Sequence, residues 1–421
     1  MQIKEPTQEE LSATAKTGIG AVKAGASRQM SASARLIAFY LPQFHPIPEN
    51  DEWWGPGFTE WTNVAKAKPL FKGHHQPNLP ADLGFYDLRV PAVRCAQAKM
   101  AREAGIEGFC YWHYWFAGRR LLERPFNEVL ESGEPDFPFC LAWANQTWSG
   151  IWHGAPNRIL LEQTYPGAED NERHFYAVLP AFKDPRYIRV NNRPIFAIYR
   201  PTELPDPVGL IAQWRALAVK NGLEGVHFVA HLMPQDHKID WGARGFSGIV
   251  PVSALKVSNM NLKKIVAKHR GRIANAKDGA ARFSHLSTAV RRISRYIYHK
   301  IIQRISNRDR LVYDYEDAMM FFYEEVVAKD NCYPCVVPNW DNSARLGRRG
   351  LILRGSTPDL FRKHLREGLK LVANREPEDR VIFVKSWNEW AEGNYLEPDQ
   401  KFGRQYLDVL REEVYAQPDA R

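Results

Sequence analysis

No uninterrupted apolar run in the chain approaches the roughly eighteen residues a membrane-spanning helix needs. The first 34 residues are rich in Ala, Ser, Lys and Gly and lack the apolar centre of a secretory signal, so they read as a disordered leader. Cysteine is scarce and odd in number: five, at positions 95, 110, 140, 332 and 335. Three of them (Cys110, Cys140 and Cys335) fall in apolar strand-like runs, which fits buried free thiols in a reducing compartment better than a disulfide framework. The spacing Cys332-Tyr-Pro-Cys335 is that of a redox motif, but without a second pair it reads as structural. No His-x-His stands on a candidate strand and no Cys/His ligands are paired, so neither a metal nor any other cofactor is expected. Gly18-Ile-Gly20 lacks the third glycine of a dinucleotide fingerprint and has no strand before it. No Asp-x-Asp, the cation holder of many sugar-nucleotide transferases, occurs in the chain. No nucleic-acid module is recognisable, so no nucleic acid is expected as a partner.

What the chain does have is aromatic surface, 13 Trp and 17 Tyr, much of it in short clusters. Flat aromatic faces suit the C–H faces of sugar rings, although core packing is the ordinary use of a Trp. Charge is also unevenly placed. The formal net charge is +9, yet Lys256 to Arg310 alone carries 15 Lys or Arg against Asp278 and Asp309, a net of +13. The remainder is therefore −4. Within that segment Leu286, Val290, Ile293, Ile297, Ile301 and Ile305 recur at helical spacing, with Arg291, Arg292, Arg295, Lys300 and Arg304 between them. Two readings stand: a basic amphipathic helix for an anionic membrane surface, or a solvated helix packing its apolar stripe on the rest of the fold.

Eight apolar β-rich runs punctuate the chain: 36–41, 108–115, 139–144, 194–199, 226–231, 248–253, 334–338 and 381–386. Helix-like stretches fall between them, near 88–104, 122–131, 170–182, 206–221, 315–329, 357–373 and 402–415. Continuous apolar strands alternating with amphipathic helices indicate parallel strands buried on both faces. Eight such units predict an α/β fold, a (β/α)8 TIM-type barrel over residues 35–415, with a long first loop and the basic helical insertion at 256–310; an open doubly wound sheet is the alternative.

Active sites of such barrels form where the strands end. Polar residues after the runs are the candidates for binding substrate: Gln43 and His45, His113 and Tyr114, Asn145 and Gln146, Tyr199, His231, Asn339, Asp341 and Asn342, and Asn388. The first loop adds Trp54, Glu60 and Trp61 as a candidate sugar-subsite wall, and Trp390 flanks the last strand. The most informative segment is Val384-Lys-Ser-Trp-Asn-Glu-Trp-Ala-Glu-Gly393, where an apolar strand gives way to Glu389 and Glu392. Two carboxyls converging on one atom cluster are what glycosidic chemistry needs: one protonates the leaving oxygen while the other stabilises, attacks or activates. Like charges in a Trp-lined site also push one pKa upward. Elsewhere a Glu-x-x-Glu is more often a solvated helix face.

That segment, continued as SWNEWAEGNYLEPD, resembles the signature of the WbsX-type family, whose domain is similar to glycoside hydrolase family 99. So do Phe39-Tyr-Leu-Pro-Gln-Phe-His45, Trp54-Gly-Pro-Gly-Phe-Thr-Glu-Trp-Thr62, His75-Gln-Pro-Asn-Leu-Pro80, Cys110-Tyr-Trp-His-Tyr-Trp-Phe116, Asp184-Pro-Arg-Tyr187 and Pro338-Asn-Trp-Asp-Asn342. The resemblance runs from about residue 35 to 410. It implies a (β/α)8 barrel acting on a carbohydrate, with Glu392 as general acid/base and Glu389 assisting the substrate's 2-hydroxyl, so that configuration is retained through an anhydro-sugar. It further implies a place in bacterial surface-polysaccharide (O-antigen) metabolism. Two positions depart from the pattern. Gln146 stands where many relatives carry an acid, and Ala391 where the hydrolases more often carry a His. Three functions follow as expectations: hydrolysis or transglycosylation of an oligosaccharide, transfer from a nucleotide- or lipid-linked donor, or glycan binding without catalysis. The expected location is cytoplasmic, peripheral at the inner membrane if the basic segment meets lipid.

Overall fold

In the computed structural model the described residues are 32–150, 155–251, 257, 262–276, 278–305, 311–323 and 331–416. The leader assigned to residues 1–34 therefore lies almost wholly outside them.

Eight parallel strands close into a barrel in sequence order. They are β1 (Arg35–Tyr40), β2 (Ile106–Phe116), β3 (Phe139–Trp143), β4 (Arg193–Ile198), β5 (His227–Leu232), β6 (Gly248–Pro251), β7 (Cys335–Val336) and β8 (Val381–Val384). β8 returns to pair with β1, Leu36 opposite Ile382 and Ala38 opposite Val384. Closure between β6 and β7 rests on the bridge at Cys332, with Ile249 N–H bonded to Asn331 O (2.9 Å) and Tyr333 N–H to Ile249 O (2.8 Å). Closure removes both sheet edges, which is why runs as apolar as Val381–Val384 are stable here: every strand of that sequence is covered on both faces. All eight predicted runs are barrel strands, to within a few residues at their ends.

Helices occupy the connections between the strands. They are α1 (Pro48–Trp54) and α2 (Glu60–Lys66) in the long first loop, then α3 (Pro91–Glu103), α4 (Arg124–Ser132), α5 (Ala168–Lys183), α6 (Pro207–Lys220), α7 (Leu262–Ala274), α8 (Gly279–Ile305), α9 (Pro358–Val372) and α10 (Gln405–Val414). Local chemistry sets their starts. Asp206 caps α6 by accepting from Gly209 N–H (2.8 Å), Thr357 caps α9 by accepting from Leu360 N–H (3.3 Å), and a proline follows each cap. On α6 the apolar positions Leu210, Ile211, Trp214, Leu217 and Ala218 recur at helical spacing and are buried on the barrel. Each large side chain of this kind contributes about 2 kcal/mol by leaving water. Between 315 and 323 only Tyr315–Ala318 and one 3-10 turn form, and 324–330, the rest of the helix expected there, lies outside the described residues.

Two elements lie off the barrel. A three-stranded sheet (Leu311–Asp314, Leu351–Arg354 and Trp340–Asp341) covers a satellite core of Tyr313, Tyr315, Phe321, Phe322, Trp340 and Leu353. The basic insertion forms the helix pair α7–α8. Sheet contact dictates one glycine: at Gly108 a Cβ would stand 2.2 Å from Pro138 O, so β2 approaches the chain entering β3 only because the side chain is missing.

Candidate active site

Where the strands end, a cavity of about 270 Å³ opens, lined by Leu41, Gln43 and Asn50, by Trp54, Trp112, Tyr114, Trp148 and Tyr199, by Ala144, Gln146, Thr147, Ser149 and Leu160, and by Arg345, Lys385, Glu389 and Glu392. Its residues come from the ends of β1, β2, β3, β4 and β8 and from the first loop, the position expected of a barrel's reactive face. Aromatic rings form the walls and a group of charged side chains the floor.

That floor is built on the end of β8. The chain leaves the strand at Lys385, pairs Asn388–Glu389 antiparallel with Asn394–Tyr395, and makes a 3-10 turn over Trp390–Glu392. Gly393 ends the turn with φ +63°, and a Cβ there would meet the Asp341 backbone N at 2.7 Å, so both conformation and space demand glycine. The turn sets the Glu389 and Glu392 carboxyls on the same cavity floor, near enough for each to shift the other's pKa. Glu389 Oε1 accepts from Trp112 Nε1 (2.9 Å) and Oε2 lies 3.3 Å from Lys385 Nζ. Glu392 accepts from Arg345 Nη1 (2.5 Å) and Asn394 Nδ2 (3.1 Å). Arg345 in turn bonds through Nη2 to Glu60 Oε2 (2.5 Å) and through Nε to Oε1 (3.1 Å), a fork-to-fork pair.

These contacts separate the two acids. Burial raises the Glu389 pKa to about 7, against the pull of Lys385, and the charge on Glu392 adds to the rise. Burial acts on Glu392 in the same sense, but Arg345 and Lys385, with hydrogen bonds from Glu389 and Asn394, overcome it and hold that carboxyl at about 2. Below about pH 7 the pair thus holds one proton, mainly on Glu389, while Glu392 carries the charge. Lys385 stays a cation despite its burial, because Glu389 and Glu392 raise it to about 12.

Of the residues singled out from sequence, Gln43, Trp54, Tyr114, Gln146, Tyr199, Glu389 and Glu392 line this cavity. The others are placed elsewhere, for reasons the structure makes plain. Asn145 and Asn388 are clamps: Asn145 bonds the Arg200 N–H and C=O (2.8 and 2.9 Å), and Asn388 those of Leu41 (2.7 and 3.0 Å), each tying one strand end to its neighbour's. Trp61 and Trp390 pack together, with Trp390 stacked on Tyr395. His45 Nδ1 is turned to Pro42 O (2.9 Å), and His113 meets His174 in the core (2.9 Å). His231 is fully buried among Phe39, Trp112 and Tyr199, where burial drives its pKa far down and keeps it neutral. Asn342 accepts from Leu351 N–H (2.7 Å), and Asp341 belongs to a second, smaller cavity. Glu60 reaches the site only through Arg345. Sequence reasoning missed Arg345, Lys385, Trp112 and Trp148. Lys385 carried a readable signal, a charge at the end of an otherwise apolar strand four residues before Glu389. Arg345 carried none.

No helix among the described residues is long and apolar enough to cross a membrane, and they contain no cluster of three or more His, Cys, Asp or Glu suited to a metal ion. Cys110, Cys140, Cys332 and Cys335 are buried free thiols and Cys95 is exposed.

A family model described as glycosyltransferase WbsX matches residues 36–410. The protein WxcX of Xanthomonas campestris pv. campestris (strain B100) is 37% identical over 390 residues, which is 92% of this chain and 50% of that protein. Its counterpart in strain ATCC 33913 matches to the same extent. The chain thus spans about half the length of the curated relatives it matches. Among solved structures, a glycoside hydrolase-like protein superposes with a TM-score of 0.54 at 13% identity, covering 92% of this chain and 96% of that one, a likeness of fold. A GH99 endo-α-mannosidase from Bacteroides thetaiotaomicron gives a TM-score of 0.48 at 14% identity, over 90% and 96% of the two chains.

Proposed function

The chain belongs to the WbsX glycosyltransferase family, and from that premise we propose that it makes or breaks a glycosidic bond in the aromatic-walled cavity, with Glu389 and Glu392 as the reacting carboxyls. The observation that carries this reading is the pair of acids on the cavity floor with unequal partners, Glu389 beside Trp112 and Lys385 and Glu392 on Arg345, which drives their pKa values apart. An acid that keeps its proton near pH 7 can give it to a leaving oxygen, and an ionised partner beside it can accept one.

The closeness of the carboxyls bears on the route. Glycosidases that use two carboxyls on opposite sides of the sugar separate them by about 5 Å when retaining and by more when inverting. Two carboxyls three residues apart on one tight turn do not flank a ring. They can serve its C1–C2 edge, where the leaving oxygen and a trans 2-hydroxyl stand, with Glu389 donating its proton to the glycosidic oxygen as the bond from the anomeric carbon breaks. Glu392 then takes the proton of the neighbouring hydroxyl, whose oxygen closes on the anomeric carbon. Water or an acceptor hydroxyl opens that intermediate with net retention. This division of labour is the reverse of the one the family resemblance implies, and it follows from Arg345, which fixes the charge on Glu392.

Glu389→Gln and Glu392→Gln test both claims. A glycosyl fluoride needs no acid to expel its leaving group. On a panel of α-linked disaccharide fluorides Glu389→Gln keeps most turnover, whereas on oxygen-linked substrates it loses about 10²- to 10⁴-fold. Glu392→Gln loses both. The opposite pattern would restore the resemblance's roles, and full activity in both variants would remove the pair from the chemistry.

The family's description favours a second reading, transfer from a nucleotide- or lipid-linked donor to a growing bacterial surface polysaccharide such as O-antigen. Consumption of a UDP- or GDP-sugar in the same assay, with the fluorides inert, would establish it in place of hydrolysis.

A further inference from the structure

The insertion helix α8 exposes four of its large apolar residues. Phe283, Leu286, Val290 and Ile297 are 74%, 50%, 57% and 40% exposed. At 100° per residue these four fall within about 60° of one another, on one stripe of a helix about 40 Å long. The helix is held by a different line: Ala289 is buried, and Ile293 packs half-buried against the satellite core. Among the described side chains of the stripe read from the sequence, Ile293 is the one seated against the fold. Side chains from Ile301 onward lie outside the described ones.

Within the two insertion helices the charge is of one sign, and Asp278 between them caps the start of α8. Helix α7 contains five Lys or Arg and α8 six, and neither contains an Asp or Glu. Arg282 and Arg291, exposed, lie on either side of the stripe. A row of exposed apolar side chains on a helix flanked by cations is the arrangement that lies in a lipid–water interface, apolar face down and cations among the headgroup phosphates. A self-associating face would have to bring two such basic helices together, and their like charge opposes it.

We infer that α8 is a docking face for an anionic bilayer surface, seated by Phe283, Leu286, Val290 and Ile297 and retained by the basic side chains around them. This holds whether the cavity hydrolyses or transfers, and it places that cavity beside a membrane where a lipid-carried glycan would be found.

Flotation of the full chain with phosphatidylcholine vesicles, with or without phosphatidylglycerol, is the test. The wild type is expected to float only with the anionic vesicles and to be released by salt. The triple variant Phe283→Ser/Leu286→Ser/Val290→Ser is expected to partition about tenfold more weakly, and so is Arg282→Glu/Arg291→Glu, both with unchanged circular dichroism and glycosyl-fluoride turnover. Three results would overturn the inference. One is a wild type that stays with the unbound fraction. Another is binding that neither variant weakens. The third is a dimer in solution that the triple serine variant dissociates, since the stripe would then be a contact between copies of the chain. Loss of fluoride turnover with flotation intact in a Glu392→Gln chain would leave the docking face standing by itself.

Discussion

The cavity around Glu389 and the smaller one around Asp341 are both lined by carboxylates, and only the first has the makings of a reactive site. In the smaller, Asp341 is met by His74 Nε2 (2.7 Å), Gln76 Nε2 (2.8 Å) and Ser343 N–H (3.0 Å). Asp399 there accepts from Tyr395 Oη (2.7 Å) and from the N–H groups of Lys401 (3.0 Å) and Phe402 (2.6 Å). Each acid has donors of its own, and neither competes with a second acid for a proton. In the larger, Glu389 and Glu392 stand near each other, and two buried cations divide their protonation. Proximity to a cavity is thus a weak mark of function. A pair of acids driven apart in pKa by unequal neighbours is a stronger one.

The comparison breaks most sharply at Arg345. Removing its guanidinium as Arg345→Met takes away the main force holding Glu392 ionised, and strands Glu60 as a buried unpaired acid. The low-pH limb of kcat/KM should rise by about 1–3 pH units. Activity near pH 4 should then drop by up to about tenfold as Glu392 begins to hold a proton, while near neutrality that carboxyl stays ionised. In the wild type the high-pH limb belongs to Glu389, so activity should fall as pH rises through about 7. That limb should vanish with glycosyl fluorides, which need no donor. A pH–rate profile of Arg345→Met superimposable on the wild type would mean that the guanidinium is mere packing.

Glu397 sharpens the comparison from the same loop. It too is raised, by burial, to about 7, although Trp390 Nε1 (2.6 Å), Gln97 Nε2 (2.6 Å) and Tyr86 Oη (2.8 Å) all donate to it and pull the other way. With no second acid and no cation beside it, its expected role is to fix Trp390 and Tyr86 behind the site. Glu397→Gln turns an acceptor into a donor among donors and should cost about 1–3 kcal/mol of stability. Denaturant unfolding reads that loss. Both limbs of the pH profile should stay where they are, and a moved limb would make Glu397 part of the proton pathway.

These contrasts explain which parts of the molecule could be read from its sequence. The barrel was legible because closure buries every strand on both faces, which leaves unbroken apolar runs such as Val381–Val384. The carboxyl pair was legible because strand, turn and acids are contiguous. Arg345 was not, since it meets Glu392 from 47 residues away, across a connection whose path no local pattern records. Trp61 and Trp390 misled for a related reason: a Trp that stacks on a sugar and one that stacks on another ring have the same spacing in the chain. Asn145 and Asn388 stand after strands, where substrate contacts were expected, because a barrel's mouth also needs amides to satisfy the peptide groups of adjoining strand ends.

The smallest effect should come from the second cavity. Asp341→Asn keeps the shape of the side chain and one acceptor, and loses the charge that His74 and Gln76 now share. The expected loss is about 1 kcal/mol, visible as a lower denaturation midpoint, because the amide still bonds to Ser343 N–H or Gln76 but more weakly. Asp341 packs its backbone against Gly393, which ends the turn carrying Glu392, so a shift there could reach the pair. Geometry predicts that it does not, since Gly393 touches the Asp341 main chain and the carboxylate points to His74. Turnover of glycosyl fluorides should therefore stay at the wild-type level with both pH limbs in place. A raised low-pH limb in Asp341→Asn would show that the two cavities are one electrostatic unit, and the distinction drawn between them would fall.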